Sequence, residues 1–197
     1  AELTREEQTR VRREPTRNLQ AYQLLLQARQ CFIAYTPEAL ARTVDLCERA
    51  IARDAAFALA YAQLVMAHIE LAEGGLAPAD SSYRRAAEAA AKALELDAEL
   101  AAVHCSLGYL KGVLEFDWAG AEQCLKRALE LSPSSADTYA IYGRLCAAVG
   151  RFDEAIELQQ RAHELDPLAH RLDIVTTLLR AGRYAQAVVG GESAVEL

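Results

Sequence analysis

The sequence predicts an all-α array of antiparallel helix pairs, and three observations carry that prediction. The 197 residues are 52% hydrophobic but only 7% aromatic, and most of the apolar content is Ala and Leu, both of which favour helix. A short phrase recurs: Ala-Leu-Glu-Leu-Asp-Ala at 93–98, Ala-Leu-Glu-Leu-Ser-Pro at 128–133 and Ala-His-Glu-Leu-Asp-Pro at 162–167, with a weaker Ala-Ile-Ala-Arg-Asp-Ala at 50–55. The copies end 43, 35 and 34 residues apart, and a fixed period near 34 is the mark of stacked helix–turn–helix units.

The clearest unit runs from Ala136 to Ala169. It carries Tyr139, Tyr142-Gly143, Cys146, Gly150, Phe152, Ala155, Ala162 and Pro167. Gly143 and Ala155 are small enough to let the two helices of the pair approach closely, Gly150 permits the tight turn between them, and Phe152 fills the space beneath that turn. Pro167 stands where the unit must stop, because it cannot continue the preceding helix. The unit before it (His104, Leu107, Gly108, Lys111, Trp118, Ala121, Leu125, Pro133) has one extra residue in its turn. The second unit (Tyr61, Leu64, Val65, His68, Tyr83, Ala86, Ala98) has a turn longer by nine, around Glu73-Gly74-Gly75-Leu76-Ala77-Pro78. A degenerate first unit follows Tyr22, Leu25, Leu26, Leu40, Thr43, Cys47 and Ala55. The last holds Ile174, Val175, Leu178, Gly182, Tyr184, Ala187 and Ala194 and stops before its closing residues. A charged lead-in over 1–17 is thus followed by units at about 18–55, 56–98, 99–133, 134–167 and 168–197.

These residues resemble the tetratricopeptide repeat (TPR) pattern of an aromatic, a large residue before Gly, a helix-packing position, a small Ala and a closing Pro. The resemblance covers about 18–197. It implies a right-handed superhelical solenoid of about five repeats, the last incomplete, in which the first helix of each pair lines a concave groove. A second resemblance concerns the start: Leu3-Thr4-Arg5-Glu6-Glu7, Arg12-Arg13-Glu14-Pro15-Thr16-Arg17-Asn18 and Ala21-Tyr22-Gln23-Leu24 look like the junction ahead of the C-terminal TPR portion of large bacterial signalling or transcriptional regulators. It implies a segment of a larger protein.

The chemistry of enzymes is not visible. No nucleotide-binding glycine pattern, metalloprotease His pair or nucleophile elbow is present, so no catalytic residue, metal or cofactor is expected. His68, His104, His163 and His170 are read as structural. Glu70, Glu73, Glu95, Glu99, Glu122 and Glu130 fall at helix-surface spacings and are read as solvated faces. The five cysteines (Cys31, Cys47, Cys105, Cys124, Cys146) lie within helical patterns without a C-x-x-C pair, which suits small buried residues in a reducing, cytoplasmic compartment. A net charge of −7 disfavours nucleic acid as partner. Arg5, Arg10, Arg12, Arg13 and Arg17 are nearly cancelled by Glu2, Glu6, Glu7 and Glu14, and no apolar run is long enough to span a bilayer.

The expected function is therefore a protein-interaction module that binds a peptide or partner domain in its groove. The alternative is a ligand-sensing or autoregulatory domain of a bacterial kinase, cyclase or transcription regulator. Groove positions implied by the family are Gln20, Gln23 and Gln27, then Leu59, Ala62 and Met66, then Ala102, Cys105 and Tyr109, then Asp137, Ala140 and Arg144, and last Leu172 and Thr176. With Gln30, the glutamines form one helix face of paired donors and acceptors, which suits an extended peptide or is simply the solvated face of the first helix. Met66, Tyr109 and Arg144 would follow one another along the groove as anchors or as inter-repeat packing. On the anchor reading, Tyr109→Ala with Arg144→Glu weakens partner capture and leaves helicity unchanged. The family's clamp for a chaperone's terminal carboxylate is missing, since its places hold Gln23, Ala62, Cys105, Ala140 and Leu172. An uncapped last repeat also offers a homodimer contact.

Overall fold

The computed structural model describes residues 16–167 and 171–195. The charged lead-in lies outside the described residues except for Thr16 and Arg17, and so do His170 and the end of the fifth copy of the repeated phrase.

Helices follow one another in pairs joined by short turns: α1 (Leu19–Ala34) with α2 (Pro37–Arg53), α3 (Ala58–Glu73) with α4 (Ala79–Leu96), α5 (Ala101–Leu110) with α6 (Trp118–Leu131), α7 (Ala136–Ala148) with α8 (Phe152–Leu165), and α9 (Arg171–Arg180) with α10 (Tyr184–Val195). No strand occurs among the described residues. Several starts are fixed by side chains that accept a backbone N–H three residues on: Asn18 from Ala21, Thr36 from Ala39, Asp117 from Gly120 and Ser135 from Thr138. Each satisfies one of the donors that a helix start leaves open. Pro37 opens α2, where its missing N–H costs nothing.

Each second helix packs back on its own partner and on the first helix of the next pair, and successive first helices also touch one another. One continuous apolar core runs from Ala21 to Ala155, while the fifth pair shares a separate small cluster of Ile156, Leu178 and Ala187. Small residues let the pairs close. A Cβ on Gly143 would come within 3.0 Å of the Ala155 carbonyl and 2.7 Å of Gln159 Cγ, and one on Gly108 within 3.0 Å of the Ala121 carbonyl. The close approach inferred for Gly143 and Ala155 is therefore present, and it recurs one unit earlier.

The two insertions are accommodated differently from the sequence reading. The turn of the second unit is not nine residues longer; α3 (16 residues) and α4 (18) are instead longer than α7 (13) and α8 (14). Extending a helix satisfies its new backbone groups internally, whereas a long loop would leave them to water. The single extra residue of the third unit is absorbed as a π-helical turn at Lys111–Glu115 that ends on Phe116 in the left-handed region, φ 52°. All five turns between paired helices place one residue there: Tyr35, Gly75, Phe116, Gly150 and Gly182. In two of them a bulky aromatic takes the conformation that glycine adopts without strain.

Candidate functional site

The inner face of the array is defined by contacts between first helices. Glu70 on α3 pairs with Arg144 on α7, two units away (Oε1–Nη1 3.1 Å), and successive first helices touch along this face. The same carboxylate accepts the hydroxyl of Tyr35, at the turn after α1, and stands 3.2 Å from the Tyr109 hydroxyl on α5. Glu73 accepts from the Tyr109 hydroxyl at 2.5 Å and from Arg144 Nη2 at 3.2 Å. Arg144 also donates to the Tyr109 oxygen and lies 4.8 Å from that ring's centroid, a cation–π contact. Four consecutive units thus meet in one polar cluster.

Burial separates its members. The side chain of Glu70 is 2% exposed, those of Glu73 and Arg144 32% and 34%. The reading of Glu70 as part of a solvated face is therefore wrong: its carboxyl group is buried, and the Arg144 guanidinium and the Tyr35 hydroxyl supply hydrogen bonds that water would otherwise give, while the single Tyr109 hydroxyl proton goes to the nearer Glu73. Burial pushes the hydroxyls of Tyr109 and Tyr35 well above the usual tyrosine range, and the neighbouring carboxylates add to the effect. Burial works against the charge of Arg144, but Tyr109 and Glu70 outweigh it and its pKa rises. Asp173 on α9 adds a further negative charge near the guanidinium.

The sequence-derived groove positions are placed unequally. Tyr109 and Arg144 come together in this cluster. Cys105 is buried, and burial raises its thiol pKa to about 12. Leu59 and Met66 are half-buried against the main core, and Leu172 and Thr176 are exposed on α9. Tyr35, Glu70 and Glu73 were not expected at the site. Met66, Glu70 and Glu73 lie at i, i+4 and i+7, so they share one helix face; that spacing was the available signal.

The first unit stands in a different register from the one predicted. In α7 the stripe Tyr139, Gly143 and Cys146 runs along the side where Gly143 meets α8. In α1 the fully buried residues Ala21, Leu25 and Ala28 have the same spacing of four and then three, and Thr43 on α2 donates to the Ala28 carbonyl (3.2 Å). The alignment on Tyr22, Leu25 and Leu26 is thus off by one. Leu19, Tyr22 and Leu26 become the counterparts of Leu59, Ala62 and Met66. Gln20, Gln23 and Gln27 become the counterparts of Ala60, Gln63 and Ala67, of which Ala60 and Ala67 are fully buried. The glutamines are exposed, and Gln20 accepts from Arg53 Nη1 at 2.8 Å. They form a polar end face, the kind of surface an array needs on its outermost helix.

Among the remaining candidates, His68 is buried and its pKa is lowered by that burial and by Arg85. The His104 ring contacts the Ala98 carbonyl at 2.7 Å. Cys47 and Cys146 are buried, with Cys31 and Cys124 half-buried. No group of three or more His, Cys, Asp or Glu among the described residues is placed to hold a metal, and no described helix is long and apolar enough to cross a membrane.

No family model and no curated protein matches the chain. Solved structures do resemble it. Over 91% of this chain and 80% of its own, the type IV pilus biogenesis factor PilW superposes with a TM-score of 0.60 at 17% identity. TTC0263, a thermophilic TPR protein of Thermus thermophilus, gives 0.56 at 21% identity over 86% of this chain and 99% of its own. MamA 41-end from Desulfovibrio magneticus RS-1 gives 0.50 at 18% identity over 92% and 97%. Paired helices, the close Gly–Ala crossing, the 34-residue period and these superpositions agree that the chain has the tetratricopeptide-repeat fold, an all-α solenoid of stacked helix pairs.

Proposed function

We propose that the chain is a protein-interaction module that receives a partner segment along its inner face, starting at the first unit. The observation that carries this reading is the apolar row Leu19, Tyr22 and Leu26, exposed by 68%, 37% and 46% and continued by Ile33 at 74%. In the corrected register these residues stand in line with Leu59 and Met66. Contiguous exposed apolar residues beside polar neighbours are the usual sign of a contact surface. Farther along, the inner face carries its own polar cluster, so the first unit is where the apolar residues of a partner find room. The partner is protein rather than nucleic acid, since the net charge is −7 and phosphate binding needs a basic surface. Free cysteines through the core suit a reducing, cytoplasmic setting. The likeness of residues 3–24 to a regulator junction supports a place within a larger bacterial protein.

The test is Tyr22→Glu combined with Leu26→Glu. Both side chains are exposed, so the melting temperature is expected to stay within a few degrees, while capture of the native partner falls by roughly tenfold or more. Undiminished capture by a folded double variant would overturn the assignment.

A further inference from the structure

We infer that Glu73 is an internal stand-in for an acidic side chain of the partner, and that Arg144 with Tyr109 forms the site such a side chain would occupy. The inference rests on the inner-face reading above and names the chemistry recognised there.

The two carboxylates of the cluster are not equivalent. Glu70 is sealed in, with its side chain 2% exposed and bonded from Tyr35 and Arg144. Glu73 is 32% exposed and held by only two contacts, Tyr109 at 2.5 Å and Arg144 at 3.2 Å. It is also the last residue of α3, followed by Gly74 and by Gly75 at φ +64°. Terminal helix residues fray at small cost, so Glu73 can leave without disturbing the core. Arg144 cannot leave as easily, because it stays tied to Glu70 and stacked on Tyr109.

Departure of Glu73 frees one guanidinium N–H and one phenol hydroxyl, both directed at a point where a carboxylate already sits. An incoming carboxylate restores the same bonds while Glu73 turns to solvent, and a charge-assisted pair of this kind is stronger than a neutral one. Both freed groups are donors, so an acceptor bearing negative charge is what completes them. The site lies one helix turn beyond the positions of the terminal-carboxylate clamp, which this chain fills with Cys105 and Ala140. The occupant is an internal Glu or Asp of the partner segment, not a chain-terminal carboxylate.

The experiment measures fluorescence polarisation of a labelled ten-residue peptide of alternating Glu and Ala, and of its Lys counterpart, on the full chain. Glu73→Ala is expected to bind the Glu peptide about tenfold more tightly than the parent. Adding Tyr109→Phe, which removes only the hydroxyl, returns it towards the parent value, and the Lys peptide is unaffected throughout. No gain for the Glu peptide, or a loss of Lys-peptide binding as the larger effect, overturns the inference. Capture of the native partner separates the two proposals. If Glu73→Ala captures it like the parent while Tyr22→Glu with Leu26→Glu does not, this site is wrong and the inner-face reading stands. If neither variant alters capture but the peptide exchange is seen, the inner-face reading falls and the carboxylate site remains.

Discussion

Two places in the array use the same three groups to tie repeats together, and they differ mainly in depth. On the inner face Glu70 receives Arg144 and the Tyr35 hydroxyl; elsewhere Glu122 on α6 receives Arg151 (2.8 Å), Lys126 (2.7 Å) and the Tyr142 hydroxyl (2.8 Å). The Glu70 side chain is 2% exposed and that of Glu122 is 24% exposed. The inner cluster joins residues as far as 74 positions apart, the outer one adjacent units 29 positions apart. A buried carboxylate depends wholly on its partners, whereas a half-wet one can fall back on water. Identical chemistry is thus a fixed strut inside and a modest stitch outside.

The sharpest way to break the comparison is to delete each arginine. Arg144→Ala leaves Glu70 buried with the Tyr35 hydroxyl as its bonded partner and is expected to cost about 3 kcal/mol, the usual scale for removing one half of a buried pair. Arg151→Ala, at the wetter site, is expected to cost about 1 kcal/mol or less. Urea unfolding followed by circular dichroism reads both; equal losses would mean that depth does not set the difference. The same reasoning corrects an expectation drawn from sequence. Tyr109→Ala with Arg144→Glu cannot serve as a clean test of partner binding, because both residues hold units together and the second change sets two carboxylates against a third.

A smaller effect distinguishes the outer site by pH. Hydrogen bonds from Arg151, then Lys126, then Tyr142 lower the Glu122 pKa from 4.5 to about 2. A carboxyl depressed in the folded state contributes stability that is fully present above the unfolded value and is lost as pH falls through the folded one. The parent should therefore lose more stability between about pH 4.5 and pH 2 than Glu122→Gln does. Parallel pH profiles for the two would show that the contacts do not persist in solution.

How much of this was legible in the sequence follows from how local each feature is. The period, the Gly143–Ala155 crossing and the glycine turns depend on residues within one unit, and the repeated phrase marks the units. The Glu70 cluster does not: its partners lie 35 to 74 positions away, and whether a helix-surface Glu is covered depends on how tightly the array curves. The nine-residue insertion looked like a loop because Gly74, Gly75 and Pro78 fall within it, yet the residues on either side extend existing helices. The first unit slipped by one because Leu25 and Leu26 are adjacent leucines with no glycine to mark which faces α2; only Ala21 and Ala28, both fully buried, decide it.

The smallest effect completes the gradient. Arg127 on α6 also reaches outside its own helix, to Glu99 ahead of α5 (2.9 Å), and bonds Glu130 at 3.1 Å on the same helix. Here every partner is largely wet, with side-chain exposures of 43%, 64% and 65%. Holding long side chains in one geometry costs entropy that a solvated Coulomb contact barely offsets. Arg127→Ala is accordingly expected to shift the melting temperature by less than about 1 °C, and added salt should not change that figure, because little attraction is left to screen. A large drop for Arg127→Ala would show that reaching beyond its own helix matters more than burial, and the inner cluster would then owe its strength to its span rather than to its depth.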